Sequence, residues 1–329
     1  MAAALGPALP RAPGGVGLSD GAGSCALVSR SVTTRAEVEE AFERCSNAGR
    51  WGDEDELGTL NLITPEVRRR AAGLVTEGVS VSLGGDVDTV QRPMNPRAAW
   101  HVVHLNEGGL PYATGDSLHL DIHGVETHLD ALGHVYLDGR GYNGRRQQDV
   151  VTNDGLRSNA IDAMRDGIFT RGVLLDVAAA RGVPWLDEDH VVTRADLEAA
   201  EQHAGVAVGP GDAVIVHTGL ERRAGERHTG EIVARAGLGL EAVPWLRDRD
   251  VAVFAGDCVD RLPPTDPGLE LPLHQIGIVA MGLALLDWPR LTDLLAVRER
   301  LGRSTFLLTV APLRIPGGTG SPVNPIATF

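Results

Sequence analysis

The sequence predicts an α/β protein, a single domain with a central mixed β-sheet or barrel-like core flanked by helices. Three observations point there. Short β-branched or apolar runs bounded by Gly and Pro alternate along the chain with segments of helical period. No internal repeat and no linker-like stretch interrupts them after residue 35. With 329 residues and 43% hydrophobic content, the chain can bury a sizeable core.

Residues 1–32 are rich in Gly, Ala and Pro without helical or strand period, and are expected to be a flexible leader to a domain spanning 33–329. Pro7, Pro10 and Pro13 break the continuous apolar stretch a secretory signal needs. TTRAEVEEAFERCSNAG offers capping threonines, apolar positions at helical spacing and Gly49 as a stop, the pattern of a helix. TPEVRRRAAGLVTEG repeats it, with Thr64 as N-cap and Pro65 at the first helical position, where its missing N–H costs nothing. VSVSL (79–83) alternates as a strand. GVLLDVA (172–178), GDAVIVHTG (211–219), VAVFAG (251–256) and STFLLTVAP (304–312) read as further strands, with TRADLEAAEQHAG and LTDLLAVRERLG as helices among them.

Composition removes several functions. A formal net charge of −14, with no gathered basic run, repels a phosphate backbone, so nucleic acid is not an expected partner. All 30 basic residues are arginine, which excludes mechanisms needing a lysine amine: pyridoxal phosphate, a Schiff-base aldolase, a Walker-type phosphate loop. Cys25, Cys45 and Cys258 are odd in number and widely spaced, which suits reduced thiols in a cytoplasm and argues against a thiolate zinc site. No apolar run reaches the ~18 residues that span a bilayer, so a membrane is not an expected partner either.

Residues 123–134, HGVETHLDALGH, hold three of the chain's 11 histidines together with two carboxylates. LHLDIHG (118–124) alternates, so an extended and largely buried segment is expected, with His119, Asp121 and His123 on one face. On a strand, His128 and Asp130 project to the same side, about 6.5 to 7 Å apart, close enough to converge on one ion. His134 follows four residues later, after a short ALG turn. Neutral imidazole and carboxylate suit Zn²⁺ or Mn²⁺, and three such ligands leave a position open for water. The spacing matches neither H-E-x-x-H nor another common zinc signature. Glu126 and Asp121 are equally suited to facing water.

HGVETHLDALGH followed by VYLDGRGYNG resembles the motif H-x-G-T-H-x-D-x-P-x-H of the cyclase family of metal-dependent hydrolases, which includes bacterial kynurenine formamidase and isatin hydrolase. RWGDEDELGTLNLITPE (50–66) is similar to the opening segment of the longer members. GVLLDVAAARG, GDAVIVHTG and LPLHQIGIVAMGLALLD (271–287) follow in the family's order. The resemblance implies a swivelling β/β/α fold and a divalent metal, zinc or manganese, with one ion expected and a second left open. It makes His128 and Asp130 metal ligands, and His134 a ligand or general acid/base. It makes His274 a second-metal ligand or proton carrier, with Asp287 at the position of a further acidic or amide ligand. Gly124 stands where the motif has its first histidine, so either a bulge lets His123 reach the ion or that ligand is lost. Leu132 replaces the motif's proline. Trp51 and Asn61 would help form the pocket, although a core tryptophan and a turn asparagine are the plain alternatives. Relatives of this kind are commonly homodimers or larger homo-oligomers.

The expected function is therefore metal-dependent hydrolysis of a C–N bond in a small amide, formamide or lactam, with His134 or His274 carrying a proton to the leaving nitrogen. Three alternatives stand beside it. A polyketide-type cyclase or dehydratase would use the same ion to polarise a ketone. A serine esterase is suggested by GDSL in residues 114–120 and by DEDH (187–190), although both sit mid-chain. A non-catalytic relative would only bind a small molecule. Asp257 follows a strand end and could line the pocket, whereas His217 and Cys258 read as buried structural residues.

Overall fold

The computed structural model describes residues 34–93, 95–227, 234–264 and 269–329; the expected leader and Cys25 lie outside these. In chain order the strands used below are β1 (Ser80–Ser82), β2 (Trp100–Leu105), β3 (Thr114–His119), β4 (His128–Asp130), β5 (Ile168–Asp176), β6 (Ala213–His217), β7 (Val253–Gly256), β8 (Ala284–Asp287), β9 (Thr305–Val310), β10 (Gly320–Pro322) and β11 (Ile326–Thr328). All except β2 and β3 form one curled mixed sheet, a half-barrel in the order β1-β11-β9-β5-β6-β7-β8-β4-β10. Its middle, β5 to β8, is parallel. Strands covered on both faces have no need of polar alternation, which explains the near-continuous apolar runs read in the sequence. The other neighbours are antiparallel, including β4 between β8 and β10.

The helices begin where the sequence caps them. Thr34 and Glu37 form a capping box at Arg35–Cys45, and Thr193 with Asp196 forms another at Arg194–Ala204. Each such cap contributes about 1 kcal/mol. Thr64 caps Pro65–Ala72, which stops at Gly73, well short of the expected TEG end. The apolar segment Leu273–Met281 forms a π-helix, buried except at Gln275 and closed by Gly282 in the left-handed conformation (φ 65°). A Cβ on Gly282 would lie 2.5 Å from the Tyr142 ring and 2.9 Å from the Cα of Gly58, so only glycine seats this helix end.

One expectation fails in an instructive way. LHLDIHG is neither continuous nor buried: β3 ends at His119, and the chain turns through Ile122–Glu126 before β4 begins. Of the expected extended segment only Leu118 and His119 are strand, at the end of β3, which starts four residues earlier at Thr114 and pairs only with β2 in a two-stranded hairpin largely exposed to solvent.

Candidate metal centre

β4 is buried throughout and places His128 and Asp130 on one face, with Leu129 packed on the other. Antiparallel register sets Asp287, at the end of β8, directly opposite His128, so a carboxylate from far along the chain joins the same face. The turn after β3 then supplies His123, whose Nδ1 lies 3.1 Å from Asp130 Oδ1 while its Nε2 meets Thr319 Oγ1 at 2.9 Å. This turn, rather than a strand, is what brings His123 beside Asp130. Gly320, across from Asp130 in β10, makes room for it: a Cβ there would sit 2.9 Å from His123 Cε1 and 2.9 Å from the Leu129 carbonyl oxygen.

Hydrogen bonds fix the tautomers. His128 Nδ1–H donates to the Glu126 carbonyl at 2.8 Å, which leaves a lone pair on Nε2, 3.5 Å from Asp130 Oδ1. His274, one residue into the π-helix, donates Nδ1–H to Asp260 Oδ2 at 2.5 Å. Asp260 also accepts the Leu273 N–H at 2.7 Å. His274 Nε2 is thereby aimed between Asp130 Oδ2 (3.5 Å) and Asp287 Oδ2 (3.4 Å). Carboxylate behind imidazole is how proteins orient a metal-ligating histidine.

Two ligand sets result, His123–His128–Asp130 and Asp130–His274–Asp287, each with donor atoms within 4.8 Å of one another and both using Asp130. Both carboxylate oxygens of Asp130, Nδ1 of His123 and Oδ1 of Asp287 are buried without a hydrogen-bond partner. Each unsatisfied buried polar atom costs about 1–3 kcal/mol, more when charged. Cations satisfy them together, so the residues fit divalent metal. Burial pushes the Asp130 carboxyl up, but the surrounding imidazoles, His123 first, outweigh it and pull the pKa down to about 2. Burial also works to lower the pKa of His274, yet the neighbouring Asp287 charge and the Asp260 hydrogen bond hold it well above the usual histidine value. His134 belongs to neither set. It stacks flat on His123, ring centroids 3.6 Å apart, and burial pushes its pKa down to about 4.

Residues 67–261, more than half of the chain, match the family described as "Putative cyclase". The chain belongs to this cyclase family. Among solved structures, one titled as a novel cyclase shares 29% identity with this cyclase-family chain, at a TM-score of 0.77, covering 87% of this chain and 100% of that one. Isatin hydrolase A from Labrenzia aggregata, bound to benzyl benzoate, shares 21% identity at a TM-score of 0.54, covering 78% and 94%. Isatin hydrolase A from Ralstonia solanacearum shares 23% at 0.52, covering 78% and 93%. At 21% and 23% identity the likeness to the isatin hydrolases is one of fold. A comparison with curated protein sequences gives no match.

Of the residues singled out from sequence, His123, His128, Asp130, His134, His274 and Asp287 come together. The remainder serve elsewhere. Asn61 donates to Asp55 Oδ1 and the Gly58 carbonyl, and Trp51 lies under the Arg50 guanidinium. Asp257 accepts the Thr218, Gly219 and Leu220 N–H groups and the Thr218 hydroxyl, and so braces the chain entering the helix Leu220–Arg227. His217 is a satisfied histidine paired with Asp176 at 2.9 Å, and Cys258 is a buried free thiol. Ser117 of the GDSL letters bonds His104 on the exposed hairpin, whereas His190 bonds Asp196, so the two halves of the esterase pattern are not joined. Asp260, Thr319 and Gly320 were missed. Asp260 shares the stretch GDCVDRLPP with Asp257, and nothing local distinguishes the two acids.

Proposed function

We propose that this cyclase-family chain is a hydrolase that holds two divalent cations, zinc or manganese, and cleaves a C–N bond of a small amide, formamide or lactam. The observation carrying the proposal is the pair of candidate ligand sets sharing Asp130, with four buried donor atoms that, among the described residues, make no well-aligned hydrogen bond. Divalent cations there supply Lewis acidity, polarising a carbonyl and bringing the pKa of water toward about 7. His128 and His274 present Nε2 inward because Glu126 and Asp260 hold their Nδ1 protons. His134, beside the centre, outside both sets and neutral near pH 7 because burial lowers its pKa, would take the proton released by the attacking water and hand it to the leaving nitrogen. A cavity of about 220 Å³ next to His123 is walled by Trp288, Pro96 and Val125 and rimmed by Arg97 and Asp121, room for a small, flat acyl compound. Trp288, directly after Asp287, holds a left-handed backbone (φ 56°), costly for a bulky residue, with its carbonyl accepting from Thr127 Oγ1 and its ring under the Arg235 guanidinium. The buried, unpaired thiols of Cys45 and Cys258 fit a reducing, cytoplasmic setting.

The test is incubation of metal-loaded protein with formyl-arylamines, isatin-like lactams and β-polyketones, followed by mass spectrometry. Hydrolysis adds one water to the lactam and splits the formamide. Dehydrating ring closure of the polyketone, with the amides untouched, would instead establish a cyclase. Turnover that survives full chelation would overturn the metal reading.

A further inference from the structure

A cavity of about 350 Å³ lies between the helix Pro65–Ala72 and the segments that enter β5 and β6. Helical period sets Val67, Arg70, Ala71 and Leu74 on the face that lines it. Val67 and Ala71 are buried and form an apolar wall, to which Pro210 adds. The shape is fixed in advance. Gly211 (φ 85°) comes so close to the helix that a Cβ would sit 2.8 Å from the Leu62 carbonyl oxygen and 3.1 Å from Val67, while its N–H donates to the Asp250 carbonyl. The metal centre is elsewhere. Gly172, Ala213, Val253 and Ala284 share one level across β5 to β8, so Arg171, on the cavity wall, lies four residues below Asp287 and three strands away, on the order of 20 Å along the sheet.

We infer that this cavity binds a small carboxylate with an apolar body, an aryl or branched acyl acid. Charge carries the argument. Of the three consecutive arginines, Arg68 donates to the Ile63 carbonyl and Arg69 pairs with Glu66, whereas Arg70 has no hydrogen-bond or ion-pair partner among the described residues. Asp212, the one acid lining the cavity among those residues, does not serve it. Asp212 is 4% exposed; its Oδ1 accepts from Arg171 Nε, and its Oδ2 from Arg171 Nη2 and the Gly209 N–H. That pair is neutral, so the charge of Arg70 stays uncompensated on the wall. Arg171 directs Nε and Nη2 to Asp212 and the Ala207 carbonyl, which leaves the two Nη1 donors for a ligand. A guanidinium fork matches the two oxygens of a carboxylate, and the surface of Val67, Ala71, Leu74 and Pro210 takes an apolar body that inorganic phosphate lacks. The inference stands independently of the reaction proposed above.

Ligand-observed NMR titration of the full chain with para-bromobenzoate tests it, and bromine anomalous scattering from soaked crystals places the probe. A molecule of about ten non-hydrogen atoms is expected to bind with a dissociation constant on the order of 1 mM, its bromine in the cavity beside Arg70. Arg70→Ala is expected to weaken binding about ten-fold or more, as is exchange of the acid for para-bromobenzamide or inorganic phosphate. Arg70 is exposed and holds no other group, so the variant keeps the wild-type circular dichroism spectrum. No detectable binding, an Arg70→Ala chain that binds the acid as the wild type does, phosphate bound as tightly as the acid, or bromine found only at the metal centre would each overturn the inference.

Discussion

Replacing Asp260 by Asn removes one negative charge and one acceptor while keeping the shape. In the wild type Oδ1 accepts the Leu273 N–H and Oδ2 accepts the His274 Nδ1–H. Asparagine has a single acceptor oxygen, so its NH₂ must face one of those two donors. Asp260 is only 1% exposed, so bulk solvent does not reach the lost bond. A buried hydrogen bond to a charged group contributes about 1.5–3 kcal/mol, so the metal-free variant should unfold more easily by roughly that amount. The metal effect is separate. Groups that orient a ligating histidine typically contribute 10–100-fold in affinity, about 1.4–2.7 kcal/mol. Competition against a fluorescent zinc chelator, with the fold checked by circular dichroism, measures it. Affinity within about two-fold of wild type would refute the claim that Asp260 aims His274, since the expected loss is at least ten-fold.

Gly320→Ala drives a methyl against His123 and the Leu129 carbonyl, and is expected to lose metal from the His123–His128–Asp130 set, with about 1–3 kcal/mol of stability, read by metal content and denaturant unfolding. Ser117→Ala should leave hydrolysis at the wild-type rate while EDTA abolishes it; the reverse pattern would restore the serine esterase. Acid should act partly through Asp196, whose carboxyl is favoured in its protonated form by burial but held well below the usual range by His190, the Thr193 N–H and Arg181. A folded pKa below the unfolded ~3.9 contributes stability that is present above that pH and lost as pH falls through the lower value. The wild type should therefore lose more of its urea midpoint between pH 6 and pH 3 than Asp196→Asn does; equal losses would contradict this.

Local chemistry made much of the fold legible. Thr34, Thr64 and Thr193 mark helix starts because a threonine oxygen there accepts a free N–H, and Gly205 and Gly302 mark ends because each adopts the left-handed conformation (φ 63° at both). The period of two in His128-Leu129-Asp130 placed two candidate ligands on one face without any knowledge of neighbours. What stayed hidden depends on distant contacts. Whether LHLDIHG continues as a strand depends on its only partner being β2, which leaves nothing to pair beyond His119. Asp257 and Asp260 differ only in what stands opposite, a helix start in one case and the π-helix in the other. The apolar run around His274 carried no period from which to read its helix, because its surroundings bury nearly every side.

The central claim is that one carboxylate serves two ions. Elemental analysis of metal per chain in single variants tests it most directly. The wild type should carry about two ions, His128→Ala and Asp287→Ala about one each, and Asp130→Ala none, since only Asp130 belongs to both ligand sets. An Asp130→Ala chain that is folded and still holds metal at the wild-type level would contradict the account.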